Sequence, residues 1–215
     1  MPGKEMIAYK TAEALMQINA IKLNVSQPFV WASGLRAPIY CDNRQALSFP
    51  AVRRMVSEYL VGLVREKFPG AEVIAGVATG AIAHGVLVAE RLDLPFIYVR
   101  NAAKGHGLAN RIEGRLSPGA RVVVIEDLIS TGMSSIDAVK AIRDSGGDVL
   151  GLAAIFSYEL PAACQAFQAN ACMFYTLSNY SSLVMLAERG KLISPSELKV
   201  LMEWRKDPVG WSEKY

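Results

Sequence analysis

The chain has 215 residues, 52% of them hydrophobic and 20% charged, a composition that suits a globular protein able to bury a large core in one domain or a small pair. Its formal net charge of +3, with no Lys/Arg-rich block, gives no ground for a nucleic-acid partner. Cys41, Cys164 and Cys172 form no C-x-x-C, so neither a disulfide framework nor a zinc site is indicated, and a reducing, cytoplasmic location is expected.

The N-terminus, MPGKEMIAYK, lacks the apolar core of a signal peptide. Ile7 to Leu23 reads as a helix, because Ala8, Ala12, Leu15, Ile18 and Leu23 recur near helical spacing. Pro28 to Trp31 and Pro38 to Cys41 read as short strands around the turn Ser33-Gly34-Leu35-Arg36. Residues 1–48 are thus expected to form a small N-terminal unit, and 49–215 the main core. The core opens with an amphipathic helix, Pro50 to Phe68, closed by Pro69-Gly70.

The rhythm then changes. Strands at Val73–Val77, Pro95–Val99, Val122–Ile125, Val149–Phe156 and Met173–Leu177 mostly alternate with helices at Ile82–Arg91, Ser134–Asp144 and Pro161–Ala169. That alternation predicts an α/β fold with a mainly parallel five-stranded sheet flanked by helices, and ligands at the strand C-terminal ends. Val73 to Ala89 is the most apolar run, but Gly76, Thr79, Gly80, His84 and Gly85 interrupt it, so no membrane span is expected. The turn Ala78-Thr79-Gly80-Ala81 is either a plain strand-to-helix turn or a backbone cradle for an anion. His84 reads as a packed helix residue.

One connection breaks the pattern. Arg100 to Ala120 has no apolar periodicity, and an irregular stretch of that length inside a domain is usually functional. Arg100, Lys104, His106, Arg111 and Arg115 stand in it against Glu113 alone, with Gly105, Gly107 and Gly114 for flexibility. It reads as a basic flexible loop, 100–120, suited to covering a polyanion and excluding water.

The stretch RVVVIEDLISTGMSS, Arg121 to Ser135, carries the chemistry. The β-branched run Val122–Ile125 suits a strand buried on both faces. Glu126 and Asp127 follow, then Leu128, Ile129 and the hydroxyl-rich turn Ser130-Thr131-Gly132-Met133-Ser134, which opens a helix. Backbone amides and hydroxyls at a helix N-terminus favour a phosphate, and paired carboxylates accept hydrogen bonds from vicinal hydroxyls. Together they suit a ribose 5-phosphate. No G-x-x-x-x-G-K-[ST] occurs, which argues against an ATP-binding P-loop. The blander reading makes Ser130 or Thr131 only an N-cap.

VVVIEDLISTGMSS closely resembles the PRPP-binding motif of type I phosphoribosyltransferases. R-x-x-x-K-x-H-G, Arg100 to Gly107, is similar to the catalytic loop of orotate phosphoribosyltransferases, and S-G-L-R-A-P-I-Y-C-D-N-R, Ser33 to Arg44, looks like the hood that covers orotate there. The resemblance implies transfer of phosphoribose from PRPP to orotate, giving orotidine 5′-monophosphate and pyrophosphate in pyrimidine synthesis. Mg²⁺ would be held mainly by substrate rather than by direct protein ligands.

By the same resemblance, residues 1–48 are the hood with its helix, and Arg100, Lys104, His106 and the whole run Glu126 to Ser134 bind PRPP. Lys104 and Asp127 are the catalytic pair, and Ser130, Arg36 and Tyr40 contact orotate. A homodimer is implied in which loop 100–120 serves the neighbouring subunit. Many relatives have a Lys where Ala32 stands and an Arg after the fourth core strand, where this chain has Phe156-Ser157-Tyr158. Arg36 and the Ser33-Gly34 amides remain as candidates for the orotate carboxylate. Two other functions compete: a purine phosphoribosyltransferase, which should lack the hood, and a non-catalytic PRPP-sensing regulator, which should lack Lys104 and His106.

Overall fold

The computed structural model describes residues 3–31, 33–100 and 111–214. Helix α1 (Lys4–Gln17) is followed by four short strands, β1 (Ile21–Leu23), β2 (Phe29–Val30), β3 (Arg36–Ala37) and β4 (Ile39–Cys41), and a 3-10 helix (Asn43–Ser48). The core continues with α2 (Pro50–Lys67), β5 (Val73–Val77), α3 (Ile82–Leu92), β6 (Phe96–Val99) and β7 (Ile112–Glu113). Then come β8 (Arg121–Ile129), α4 (Met133–Asp144), β9 (Asp148–Ser157), α5 (Pro161–Ala169) and β10 (Phe174–Asn179). Helices α6 (Tyr180–Arg189), α7 (Pro195–Lys206) and α8 (Pro208–Ser212) close the chain.

The buried β-branched runs form one sheet in the order β10-β9-β8-β5-β6-β7. All neighbours are parallel except β6 and β7. Val73–Val77 is buried at every position, as expected of a strand covered on both faces. The chain steps outward from β5 to β6 in one direction and from β8 through β9 to β10 in the other. The point of reversal lies between β5 and β8, and a crevice opens there at the strand C-terminal ends.

Several elements differ from the sequence reading, which does not assign α6, α7 or α8. The first helix ends at Gln17, because Asn19 takes a left-handed φ of 58°, which Asn tolerates. Ile21–Leu23 then pairs antiparallel with Ile39–Cys41 instead of continuing the helix. Among the described residues the sheet has six strands rather than five, since Ile112 and Glu113 pair with Val99 and Tyr98. Strand β8 runs on through both carboxylates to Ile129, held by its ladder to β9 as far as Ser157.

The C-terminal helices brace the N-terminal strands. Helix α7 opens with a full capping box between Ser194 and Glu197 and has Pro195 in its first turn. It buries Trp204 completely, in edge contact with Trp31 and Tyr158 and 5.3 Å from the Tyr180 ring centre. Trp31 also stacks on Tyr158 at 5.1 Å, and Ser212 Oγ in α8 accepts the Arg36 N–H at 2.9 Å. Helix α1 packs on β10 and α6, so the chain's first helix lies against the main sheet.

Candidate active site

Along β8, Val122 to Ile125 are fully buried, and the two carboxylates that follow have different surroundings. Glu126 is 4% exposed and accepts hydrogen bonds from Ser135 Oγ at 2.9 Å and from the Asp127 N–H at 3.0 Å. It thereby ties the strand end to the first turn of α4. Burial pushes its carboxyl well above the usual carboxylate range, and the adjacent Asp127 charge adds to the rise. Asp127 is half-buried and faces the crevice, and its backbone oxygen accepts from Asn43 Nδ2 at 2.6 Å.

Helix α4 begins after Gly132, whose φ of 80° would strain any residue with a side chain, and no side chain caps this end. The reading of Ser130 or Thr131 as a mere N-cap is therefore set aside, and the first amides of α4 are left for an anion. The turn after β5 faces this end of β8 closely: a methyl group on Gly80 would overlap the Asp127 carboxylate. Among the described residues, no backbone hydrogen bond takes the Thr79 or Gly80 amide.

These segments enclose a cleft of about 390 Å³ lined by Cys41, Asp42, Arg44, Val77 to Gly80, Glu126 to Leu128 and Ser134. A larger groove, about 450 Å³, between α1, α2 and β10 shares none of these residues. The smaller cleft is the chemically equipped one, because it joins the switch point, the carboxylates and the uncapped helix end.

The structure thus brings Glu126, Asp127, Leu128 and Ser134 together in one cleft, with Ser130, Thr131 and Gly132 forming the turn between β8 and α4 and Met133 opening α4. Ile129 contributes backbone only, since its side chain is fully buried and its carbonyl accepts from the Tyr158 N–H at 3.0 Å. Arg36 is exposed and Tyr40 half-buried, and neither lines the cleft. Arg100 pairs with Glu113 at 3.4 Å at the sheet edge. Lys104 and His106, with the rest of 101–110 in the expected covering loop, lie outside the described residues.

Sequence reasoning passed over Asp42 and Arg44, which stand in the hood motif but line the cleft only through the fold, and Asn43, which is fully buried and holds the Asp127 carbonyl. His84 is packed as expected, fully buried on α3. Burial lowers its pKa, while the Asp127 charge and the Asn43 backbone act in the opposite direction.

A switch-point cleft with a hydroxyl-rich turn on a mainly parallel sheet defines a type I phosphoribosyltransferase fold, and residues 44–168 match the phosphoribosyl transferase domain. The chain is 48% identical over 207 residues to an orotate phosphoribosyltransferase of Enterococcus faecalis, covering 96% of this chain and 99% of that one. It is 52% identical over 200 residues to the Phocaeicola vulgatus protein of the same name, with 93% and 94% covered. The chain therefore belongs to the orotate phosphoribosyltransferase family. The crystal structure of the Aeropyrum pernix orotate phosphoribosyltransferase shares the fold, with a TM-score of 0.72, 24% identity, and 85% and 99% of the two chains covered.

Proposed function

We infer that the chain transfers the 5-phosphoribosyl group of PRPP to orotate, releasing pyrophosphate and forming orotidine 5′-monophosphate. The observation that carries this reading is the Asp127–Ser134 segment, with its uncapped helix end, facing the Ala78–Gly80 turn in a chain of this family. The turn Ser130 to Ser134 receives the 5-phosphate, and Asp127 receives the ribose hydroxyls. Glu126, buried beneath them, orients the strand end through Ser135.

In the reaction the bond from C1 of the ribose to the pyrophosphate oxygen breaks, N1 of orotate bonds to C1, and the N1 proton leaves to solvent. The ring becomes oxocarbenium-like as the leaving group gains negative charge. Asp127 stabilises the former, and Arg100, Lys104 and His106 the latter, more strongly in the transition state than in bound PRPP. Mg²⁺ would be held mainly by substrate oxygens, with Asp127 the hard oxygen donor that this cleft would offer it. When bound, that ion neutralises charge on the diphosphate. Ser130 and the hood residues Arg36 and Tyr40 face the base, and the basic loop is supplied by the partner of a two-fold dimer.

Among the described residues no helix is long and apolar enough to cross a membrane. The cytoplasm is the compartment this reading assigns. Purified protein should consume orotate only with PRPP and Mg²⁺, followed by the loss of orotate absorbance. Faster turnover of adenine, guanine or hypoxanthine would overturn the assignment.

A further inference from the structure

The described part of the cleft has an uneven charge distribution. Asp42, Glu126 and Asp127 line it with carboxylates, and Arg44 is the one cation among its described lining residues. A doubly anionic leaving group cannot be held beside Asp127 without positive charge close by. Arg44 is placed to supply it. Its Nε donates to Asp42 Oδ1 at 2.6 Å and its Nη2 to Oδ2 at 3.1 Å, so the guanidinium is gripped along one edge. Of the five N–H donors of a guanidinium, the Nη1 pair and the second Nη2 hydrogen stay beyond that grip. The side chain is 60% exposed, so these donors are open to a ligand.

We propose that Arg44 is a pyrophosphate-binding residue, its guanidinium aimed by Asp42 at an anion that also meets the Thr79 and Gly80 amides. The site rests on the phosphoribosyl-transfer reading above and identifies a protein group that holds the leaving group on the described side of the cleft. The orotate carboxylate is the other anion in the reaction. The lining argues against it, because Arg44 shares the cleft with the Ala78 to Gly80 turn, whose open amides suit a phosphate oxygen. Asp42 is a positioning residue, which also caps the 3-10 helix through the Arg44 N–H.

The test measures binding of inorganic pyrophosphate, ribose 5-phosphate and orotate to the intact protein by calorimetry in Mg²⁺ buffer, alongside steady-state KM values. Loss of charge-assisted hydrogen bonds in Arg44→Ala should weaken pyrophosphate and raise the KM for PRPP by about 10- to 100-fold, leaving ribose 5-phosphate and orotate within about twofold. Arg44→Lys should recover part of the loss. Asp42→Asn keeps a capping side chain, so it should weaken pyrophosphate through the misdirected guanidinium and add nothing in the Arg44→Ala background.

Unchanged pyrophosphate affinity in Arg44→Ala, while the wild type turns over orotate, overturns this proposal and leaves the assigned reaction standing. A loss confined to orotate, or shared equally with ribose 5-phosphate, overturns it as well. A wild-type protein that binds neither pyrophosphate nor PRPP overturns both.

Discussion

At the scale of single residues, the two adjacent carboxylates of β8 have different surroundings, and the buried one makes stability depend on pH. The pKa of Glu126 is raised in the fold, so the folded state binds its proton more tightly than the unfolded chain does. That contribution to stability is full below the ordinary carboxylate range and is lost as pH rises through the folded pKa. Glu126→Gln keeps the acceptor for the Asp127 N–H and removes the ionisation. It should therefore be more stable than wild type at pH 8, by about 1.4 kcal/mol for each unit of displacement, with the gap closing toward pH 4 in urea unfolding. A gap that does not depend on pH would show that Glu126 is ionised at no cost. Asp127 was legible in the sequence because it sits in a local run with its turn. Asn43 was not, since its bond to the Asp127 carbonyl spans 84 residues and exists only once β4 and β8 are brought together.

Among the elements, strands and helices with long apolar runs were readable, and those shaped by contacts were not. β8 and α4 follow from their own residues, whereas β7 is a two-residue strand with no periodicity to detect. The first helix was overextended because Ile18 and Leu23 fit helical spacing by chance, while the strand pairing that claims Ile21–Leu23 comes from residues 39–41. The C-terminal helices are unassigned in the sequence reading, although Ser194-Pro195-Ser196-Glu197 is a capping-box start that could have marked α7. In the fold they hold the hood, through Trp204 against Trp31 and Tyr158. Trp204→Ala should cost about 3 to 5 kcal/mol of stability, as for other large-to-small core changes. If the hood covers orotate, the KM for orotate should rise more than that for PRPP. Equal changes in both would separate α7 from base binding.

For the whole molecule, the expected sharing of loop 100–120 between subunits is testable without a structure of the dimer. When Lys104→Ala and Asp127→Ala chains are unfolded, mixed and refolded, about half the dimers pair unlike chains and each rebuilds one intact site, giving about a quarter of wild-type activity. If the loop serves its own chain, activity stays at the level of the separate mutants. The base of that loop has a separate consequence, rooted in chain statistics. The Arg100 N–H donates to the Arg111 carbonyl at 2.8 Å, and Arg111 Nε donates to the Arg100 carbonyl at 3.0 Å. Val99 lies opposite Ile112, so the polypeptide leaves the sheet and re-enters it at neighbouring points. Arg100 and Arg111 are thus held together by the fold, and closing a chain between two points so fixed costs entropy that grows only logarithmically with its length. Doubling the segment 101–110 with Gly and Ser should lower stability by about 0.6 kcal/mol, read from the denaturant midpoint, while turnover collapses because Lys104 and His106 lose their spacing. A length change that kills catalysis and spares the fold would make this segment a place where family members can diverge in rate without risking the scaffold.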